Sequence, residues 1–188
     1  ARWKFNGDTK ADAGGIDGIL YGAIGATNNA GTQNTALGFS GTGQYVEVPS
    51  TFGITDRSVS VSLWVNMASA SVSGQFIKIG GGGGFGIGVG NGNFDNTNPG
   101  PEIIGLFEGI RWIDTNTALG TGWRHLVLVL GSTGTPSIYR DGVLVGTYAG
   151  TNTQLPTNNL IHIGGRPNSS PTRWVSGSID DVRIYRKD

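Results

Sequence analysis

The segment LFEGIRWIDTN sets Glu108, Arg111, Trp112 and Asp114 inside a seven-residue window. A tryptophan face stacks on the apolar face of a sugar ring, and planar carboxylate and guanidinium groups pair with its hydroxyls. That combination is the chemistry of carbohydrate recognition. Phe94 and Arg173, each in an irregular stretch, are placed to extend such a site. The competing reading, a Trp112 that is simply packed, stays open at this level.

Other chemistries find less support. There is no cysteine, which removes thiol catalysis, Cys-metal sites and disulfides. His125 lies inside an apolar run and His162 sits between two isoleucines, so both read as core or supporting histidines rather than members of a Ser-His-Asp set. Glu108 and Asp114 are six positions apart with Trp112 between them. A retaining glycosidase needs two carboxyl groups about 5–5.5 Å apart, which alternate positions on one strand supply. The chain is therefore expected not to be an enzyme.

The elements that must position these residues are strands. Val59, Val61, Leu63 and Val65 alternate with Ser58, Ser60, Ser62, Trp64 and Asn66, a period of two that puts Trp64 on the serine face. In Gly122 to Tyr148, the run Leu126 to Leu130 reads as a strand buried on both faces. Asp141-Gly142 then joins Ser137–Arg140 to Val143–Val145 as a hairpin, because a type I′ turn needs positive φ at both central residues. Phe85, Ile87 and Val89 alternate with Gly86, Gly88 and Gly90, leaving one face of that strand bare. Repeated glycine there implies close approach by a ligand or a neighbouring element. Asp8 to Gly18 and Asn91 to Pro101 read as loops, and Ile103 to Ile113 as one or two strands with a possible break at Gly109. About a dozen short strands without a helix predict a two-sheet sandwich or a barrel.

Composition agrees. The chain has 188 residues, 34 of them glycine, and only 14% are charged, the mix of short strands joined by tight polar turns. Thirteen basic residues balance thirteen acidic ones, which sets nucleic acid aside as a partner. No apolar run has the length of a membrane span. Opening at Ala1 without a signal-like segment, the sequence reads as one domain over 1–188, an excised module or mature domain.

In order along the chain come ALGFSGTGQYVEVP, SVSVSLWVNM, GWRHLVLVL, YRDGVLVG, LIHIGG and GSIDDVRIY. This series resembles the laminin-G-like domain, bacterial type, of the concanavalin A-like lectin/glucanase superfamily. The resemblance implies an all-β jelly-roll sandwich of two antiparallel sheets, one concave and one convex. It implies packing roles for Trp64 and Trp123, which fall where the family has tryptophan, and for Trp3 and Trp174 in family-like strands. Laminarinase-like glycosidases of this fold carry a Glu-x-Asp-x-(x)-Glu strand, which is missing here. The resemblance also implies a structural Ca²⁺ joining the first and last strands, matched at Asp180, a carbonyl near Gly41, and Asn6 or Asp8. The expectation is a non-catalytic carbohydrate-binding, lectin-like module of a larger secreted or cell-surface protein, with a polysaccharide or glycan as partner. An adhesion, protein-interaction or spacer module, in contact with other domains of its own chain, is the alternative.

Overall fold

The computed structural model describes the chain except residues 27–29, 34, 57, 70–72, 82, 92–97, 108–111, 132–134, 151–153, 168–172 and 187–188, and the side chains of 24, 98 and 99. Among the described residues every regular element is a strand. In chain order these are β1 (Arg2–Trp3), β2 (Ala11–Ala13), β3 (Ile19–Tyr21), β4 (Ile24–Ala26), β5 (Ala36–Ser40), β6 (Tyr45–Val48), β7 (Val59–Met67) and β8 (Gly74–Ile79). There follow β9 (Phe85–Asn91), β10 (Asn98–Leu106), β11 (Ile113–Ala118), β12 (Arg124–Val129), β13 (Ser137–Arg140), β14 (Val143–Thr147), β15 (Ile161–Ile163) and β16 (Ser176–Arg186).

The strands form two antiparallel sheets. One has seven strands in the order β11-β10-β9-β8-β15-β6-β3. The other has nine, with β14-β13-β12-β7-β16-β1-β2 along its path and β5 and β4 attached beside β16. The sheets face each other across one apolar cluster that takes Trp3, Val61, Leu63, Ile77, Ile87, Leu126, Ile163 and Val182 from strands throughout the chain. This is the all-β, two-sheet sandwich that alternation and turn chemistry predict.

The expected local features largely appear. β7 alternates strictly between buried and half-buried positions, with Trp64 on the serine side. Asp141 and Gly142 have φ of 52° and 82°, so the Asp-Gly turn adopts the left-handed geometry its residues favour. Three readings need correction. β12 is buried on one face only: Leu126 and Leu128 enter the core, whereas Val127 and Val129 stay half-buried on the outside. Its outer face carries His125, which shares a 2.8 Å hydrogen bond with the Ser62 hydroxyl across the strand pair, so that of the two roles read for His125 the supporting one applies. The polar stretch after Asp8 contains strand β2, and the stretch before Pro101 already belongs to β10. Main-chain pairing made those two strands without an apolar pattern to announce them.

The core predicts a sharp contrast between two apolar residues of the meander. Leu126 is fully buried, whereas Val143 is 65% exposed on the edge strand. Leu126→Ala should cost about 2–5 kcal/mol in urea denaturation, and Val143→Ala no more than about 0.5 kcal/mol.

Candidate functional site

The outer face of the seven-stranded sheet gathers the candidate site. β9 sends Phe85, Ile87 and Val89 into the core and turns Gly86, Gly88 and Gly90 outward. Two of these glycines are required by their neighbours. A Cβ on Gly88 would lie 2.4 Å from the Gly74 carbonyl, and one on Gly86 would lie 2.6 Å from the Ile77 carbonyl and 3.0 Å from the Trp112 ring. The close approach is therefore by the backbone of β8 and by an aromatic ring.

Register lines up the side chains on either side of this bare strip. Glu47, His162, Lys78, Gly86 and Leu106 fall in one row across β6, β15, β8, β9 and β10. Gln75, Gly88, Ile104 and Asp114 fall in the next. One flank of the strip is thus polar. The other is an apolar corner of Ile104, Leu106 and Trp112, a cluster separate from the main core.

The structure brings together some of the residues named from sequence. Trp112 lies beside the glycine strip as anticipated, but it is only 4% exposed, wedged between Ile104, Leu106 and the backbone of Gly86. Asp114 stands on the same face opposite Ile104 and accepts the Asn116 N–H at 2.7 Å, which holds its own turn. Arg173 is 8% exposed and its carbonyl accepts the Gln75 N–H at 3.1 Å, so its segment adjoins the far side of the strip. Glu108, Arg111 and Phe94 lie outside the described residues.

Sequence reasoning missed an aromatic row on the polar flank. Tyr21 and Tyr45 stack at 4.3 Å and 7°, Tyr45 and Trp174 at 5.7 Å and 29°, and His162 meets Tyr45 edge-on at 5.8 Å. Tyr45 is the middle ring of this row, and Tyr21 at its end is 38% exposed. Tyr45 and Glu47 were visible as the polar positions of QYVEV; that Tyr21 would lie opposite Tyr45 depends on pairing between β3 and β6.

Electrostatics on this flank are tightly held. Burial pulls His162 below the ordinary histidine range, and its 3.1 Å hydrogen bond with Glu47 opposes that only in part. Lys78 is 1% exposed and donates to the carbonyls of Gly83 and, at 3.3 Å, Ile79, pinning the loop that follows its strand. Burial, and after it the charge of Arg166, brings the Lys78 ammonium down to about 7.

Register separates two of the four calcium positions, Gly41 and Asp180. β5 pairs with β16 so that Ser40 meets Ser176 and Leu37 meets Ile179. Gly41, bonded to the Val175 carbonyl, is then five residues along β16 from Asp180, roughly 16 Å at strand rise. Calcium ligands must lie about 2.3–2.6 Å from the ion. Asn6 and Asp8 are both exposed, and Asp8 caps the Lys10 N–H at 3.1 Å. Asp181, next to Asp180, is held by Arg2 and Arg183. Among the described residues no three His, Asp or Glu side chains gather as a metal site.

The Lys78 geometry gives a pH prediction. An unfolded lysine titrates near 10.4, so between about pH 7 and 10 the unfolded chain binds more protons at this position than the folded one. Stability from this group must therefore rise with pH across that window, by at most about 1.4 kcal/mol per unit. Urea denaturation from pH 7 to 9.5 should show that rise in the parent protein and a flatter profile in Lys78→Met. Equal slopes would refute the placement of the ammonium.

Comparison with known proteins agrees with this architecture. The sequence profile of a laminin-G family, described as the concanavalin A-like lectin/glucanases superfamily, matches residues 40–188. No curated protein matches the chain in sequence. Domain 4 of AbnA, an extracellular GH43 arabinanase from Geobacillus stearothermophilus solved in complex with arabinotriose, superposes with a TM-score of 0.72 at 20% identity, covering 99% of this chain and 91% of that one. The botulinum neurotoxin serotype G binding domain superposes at 0.67 with 14% identity, over 100% of this chain and 47% of the toxin chain. A botulinum neurotoxin type C structure, described for cell entry dependent on two ganglioside molecules, superposes at 0.59 with 17% identity, over 96% and 47%. This chain thus spans about half of the toxin chains and nearly all of the arabinanase domain. With the two-sheet sandwich in place and more than half of its length matched by the family profile, the chain belongs to the laminin-G-like domains of the concanavalin A-like lectin/glucanase superfamily.

Proposed function

We propose that this domain is a non-catalytic carbohydrate-binding module of a larger secreted or cell-surface protein, and that its ligand lies on the outer face of the seven-stranded sheet. The observation that carries this reading is the outer face of the seven-stranded sheet, where Gly86, Gly88 and Gly90 lie between an apolar side of Ile104, Leu106 and Trp112 and a polar side that runs from Gln75 and Lys78 on β8 across β15 to His162, Glu47 and the Tyr21–Tyr45–Trp174 row. An apolar side and a polar, hydroxyl-bearing side on one sheet face suit the two-sided character of a sugar ring. Trp112 and Asp114 contribute to one wall, with Arg173 at the far end; Glu108, Arg111 and Phe94 remain candidates from sequence. The complex of the arabinanase domain with arabinotriose, and the ganglioside dependence described for the type C toxin, support a glycan as the partner class. Among the described residues no helix is long and apolar enough to cross a membrane.

A second reading has its own observation. β3 is the edge strand of the seven-stranded sheet, and Ile19, Leu20 and Tyr21 are 47%, 40% and 38% exposed along it. An exposed apolar edge is a surface for protein contact, which an adhesion or spacer module would use.

A glycan array followed by titration calorimetry separates the two readings. Retention of at least one glycan, weakened roughly tenfold by Tyr21→Ala or Glu47→Gln with little change in melting temperature, is the expected result. Those losses correspond to about 1.4 kcal/mol each. An empty array with a protein partner captured through β3 would favour the second reading, and any glycosidase turnover would overturn both. Chelation with EDTA should leave the melting temperature unchanged; a fall of several degrees would return calcium to the edge at Asp180.

A further inference from the structure

The nine-stranded sheet carries an open cavity of about 270 Å³ on its own outer face, away from the site above. Its lining includes Gly38, Ser40, Gln44, Ala68, Gly177 and Ser178. Strand register shows how it forms. Asn66, Ser178 and Gly38 make one row across β7, β16 and β5. The row faces outward, because the adjacent Val65, Ile179 and Leu37 enter the core. Gly38 places no side chain in it, which opens the floor. In the next row Ser40 stands opposite Ser176, and exposed Ala68 donates its N–H to the Ser176 carbonyl at 2.9 Å. Gly177 has no room for a side chain, since a Cβ there would lie 2.4 Å from the Asn66 carbonyl oxygen. The Gln44 wall is fixed: its carboxamide accepts the Ser40 N–H and donates to the Gly22 carbonyl at 2.6 Å. Among the described residues no hydrogen bond engages the hydroxyls of Ser40 and Ser178 or the carboxamide of Asn66. Two residues along β7 from Asn66, Trp64 lies half-buried on the same face with its ring 5.0 Å from that of His125.

We propose that this cavity is a second carbohydrate site, which takes one neutral sugar unit at its floor and lets the chain continue over Asn66 towards Trp64. This rests on the carbohydrate-binding reading above and adds a site on the opposite sheet. Size is the first argument. Pockets for drug-sized ligands run to about 300–1,000 Å³, and a cavity just below that range suits a single ring. Polarity is the second. The unpartnered groups are hydroxyls and a carboxamide, which both donate and accept, as sugar hydroxyls do. A uronate, sulfate or phosphate would leave water for a lining that holds no cation, and its desolvation would go uncompensated. Neutral units therefore fit, and acidic ones do not. The third is Trp64, an aromatic at the distance of the next unit along the strand.

The test is amide chemical-shift mapping by heteronuclear NMR with arabinotriose, xylotriose, cellotriose, mannotriose and trigalacturonate. It is run on the parent domain, on Ala68→Trp, which fills the cavity from an exposed position, and on Ser178→Val, with melting temperatures in parallel. The expected result is that at least one neutral triose shifts the Gly38, Ala68 and Ser178 amides saturably and trigalacturonate does not. Both variants should weaken that saturation roughly tenfold and melt close to the parent temperature. Should Ala68→Trp fail to fold, Ser178→Val carries the comparison, since it keeps a strand-forming residue in place. Shifts confined to the seven-stranded sheet, around Tyr21 and Glu47, would overturn the second site and leave the binding module standing. Cavity shifts that persist unweakened in a folded variant would overturn the assigned contacts. A stronger response of the same amides to trigalacturonate would overturn the neutral class. No shift with any triose would overturn the second site, and an empty glycan array beside it would overturn the module as well.

Discussion

The structure depends on the pairing of β16. Along one edge this strand bonds to β7 from Gly177↔Met67 to Arg186↔Val59. Along its other edge it bonds first to β5 and then to β1. The change of partner falls at Asp180 and Asp181, where the register with β7 shifts and Asp181 takes φ of 46°. Such a bulge costs local strain and persists because the strands on both sides fix it. It lets one strand close the nine-stranded sheet on the chain terminus. The Ala1 ammonium donates to the Ile184 carbonyl at 2.8 Å, and Trp3 is fully buried beside Val182. Without cysteine, nothing covalent holds the two ends together. The N-terminal strand keeps its place through burial and four main-chain registers, so the site on the opposite sheet rests on a core that is complete only when the last strand is in.

How much of this was legible in the sequence follows from which forces are local. Alternation in β7 and β9, and the Asp141-Gly142 turn, are decided within a few residues, and each reads directly from composition. Burial of Val127 was misjudged because a continuous apolar run looks the same whether a strand is covered on one face or both. β2 and the first part of β10 were missed for the opposite reason: their strand character comes from a partner's backbone rather than from their own residues. The site divides in the same way. The glycine strip and its neighbour Trp112 could be foreseen. The Tyr21–Tyr45–Trp174 row could not, because its members come from three segments joined only by β3–β6 pairing and by the fold of Trp174 over Gly165. Within the calcium set, register across β5 and β16 separates Gly41 from Asp180, a distance that closeness to a motif does not reveal.

Trp112 changes meaning in this setting. A tryptophan offered as a binding platform must show a face, and this one shows 4% of itself. Its ring is spent on Gly86, Ile104 and Leu106, where it fills the space that the missing β9 side chains leave. It therefore builds a wall. Glycine at position 86 and tryptophan at 112 are two halves of one packing solution: a side chain at 86 would meet the Ile77 carbonyl at 2.6 Å before it met the indole at 3.0 Å.

The remaining glycines are where the strip differs along its length. At Gly86 the indole occupies the bare face. At Gly88 and Gly90 the flanking residues are Gln75 and Glu102, polar groups whose atoms the protein itself does not pair. One end of the strip is thus closed by packing and the other is left with unused hydrogen-bonding capacity. Natural cores avoid that condition at a cost of about 1–3 kcal/mol per group, and they tolerate it mainly where something else completes the bonding. The same β-strand therefore serves two ends: apolar residues on its inner side hold the sandwich together, and the absence of side chains on its outer side lets the β8 backbone and the Trp112 ring close against it.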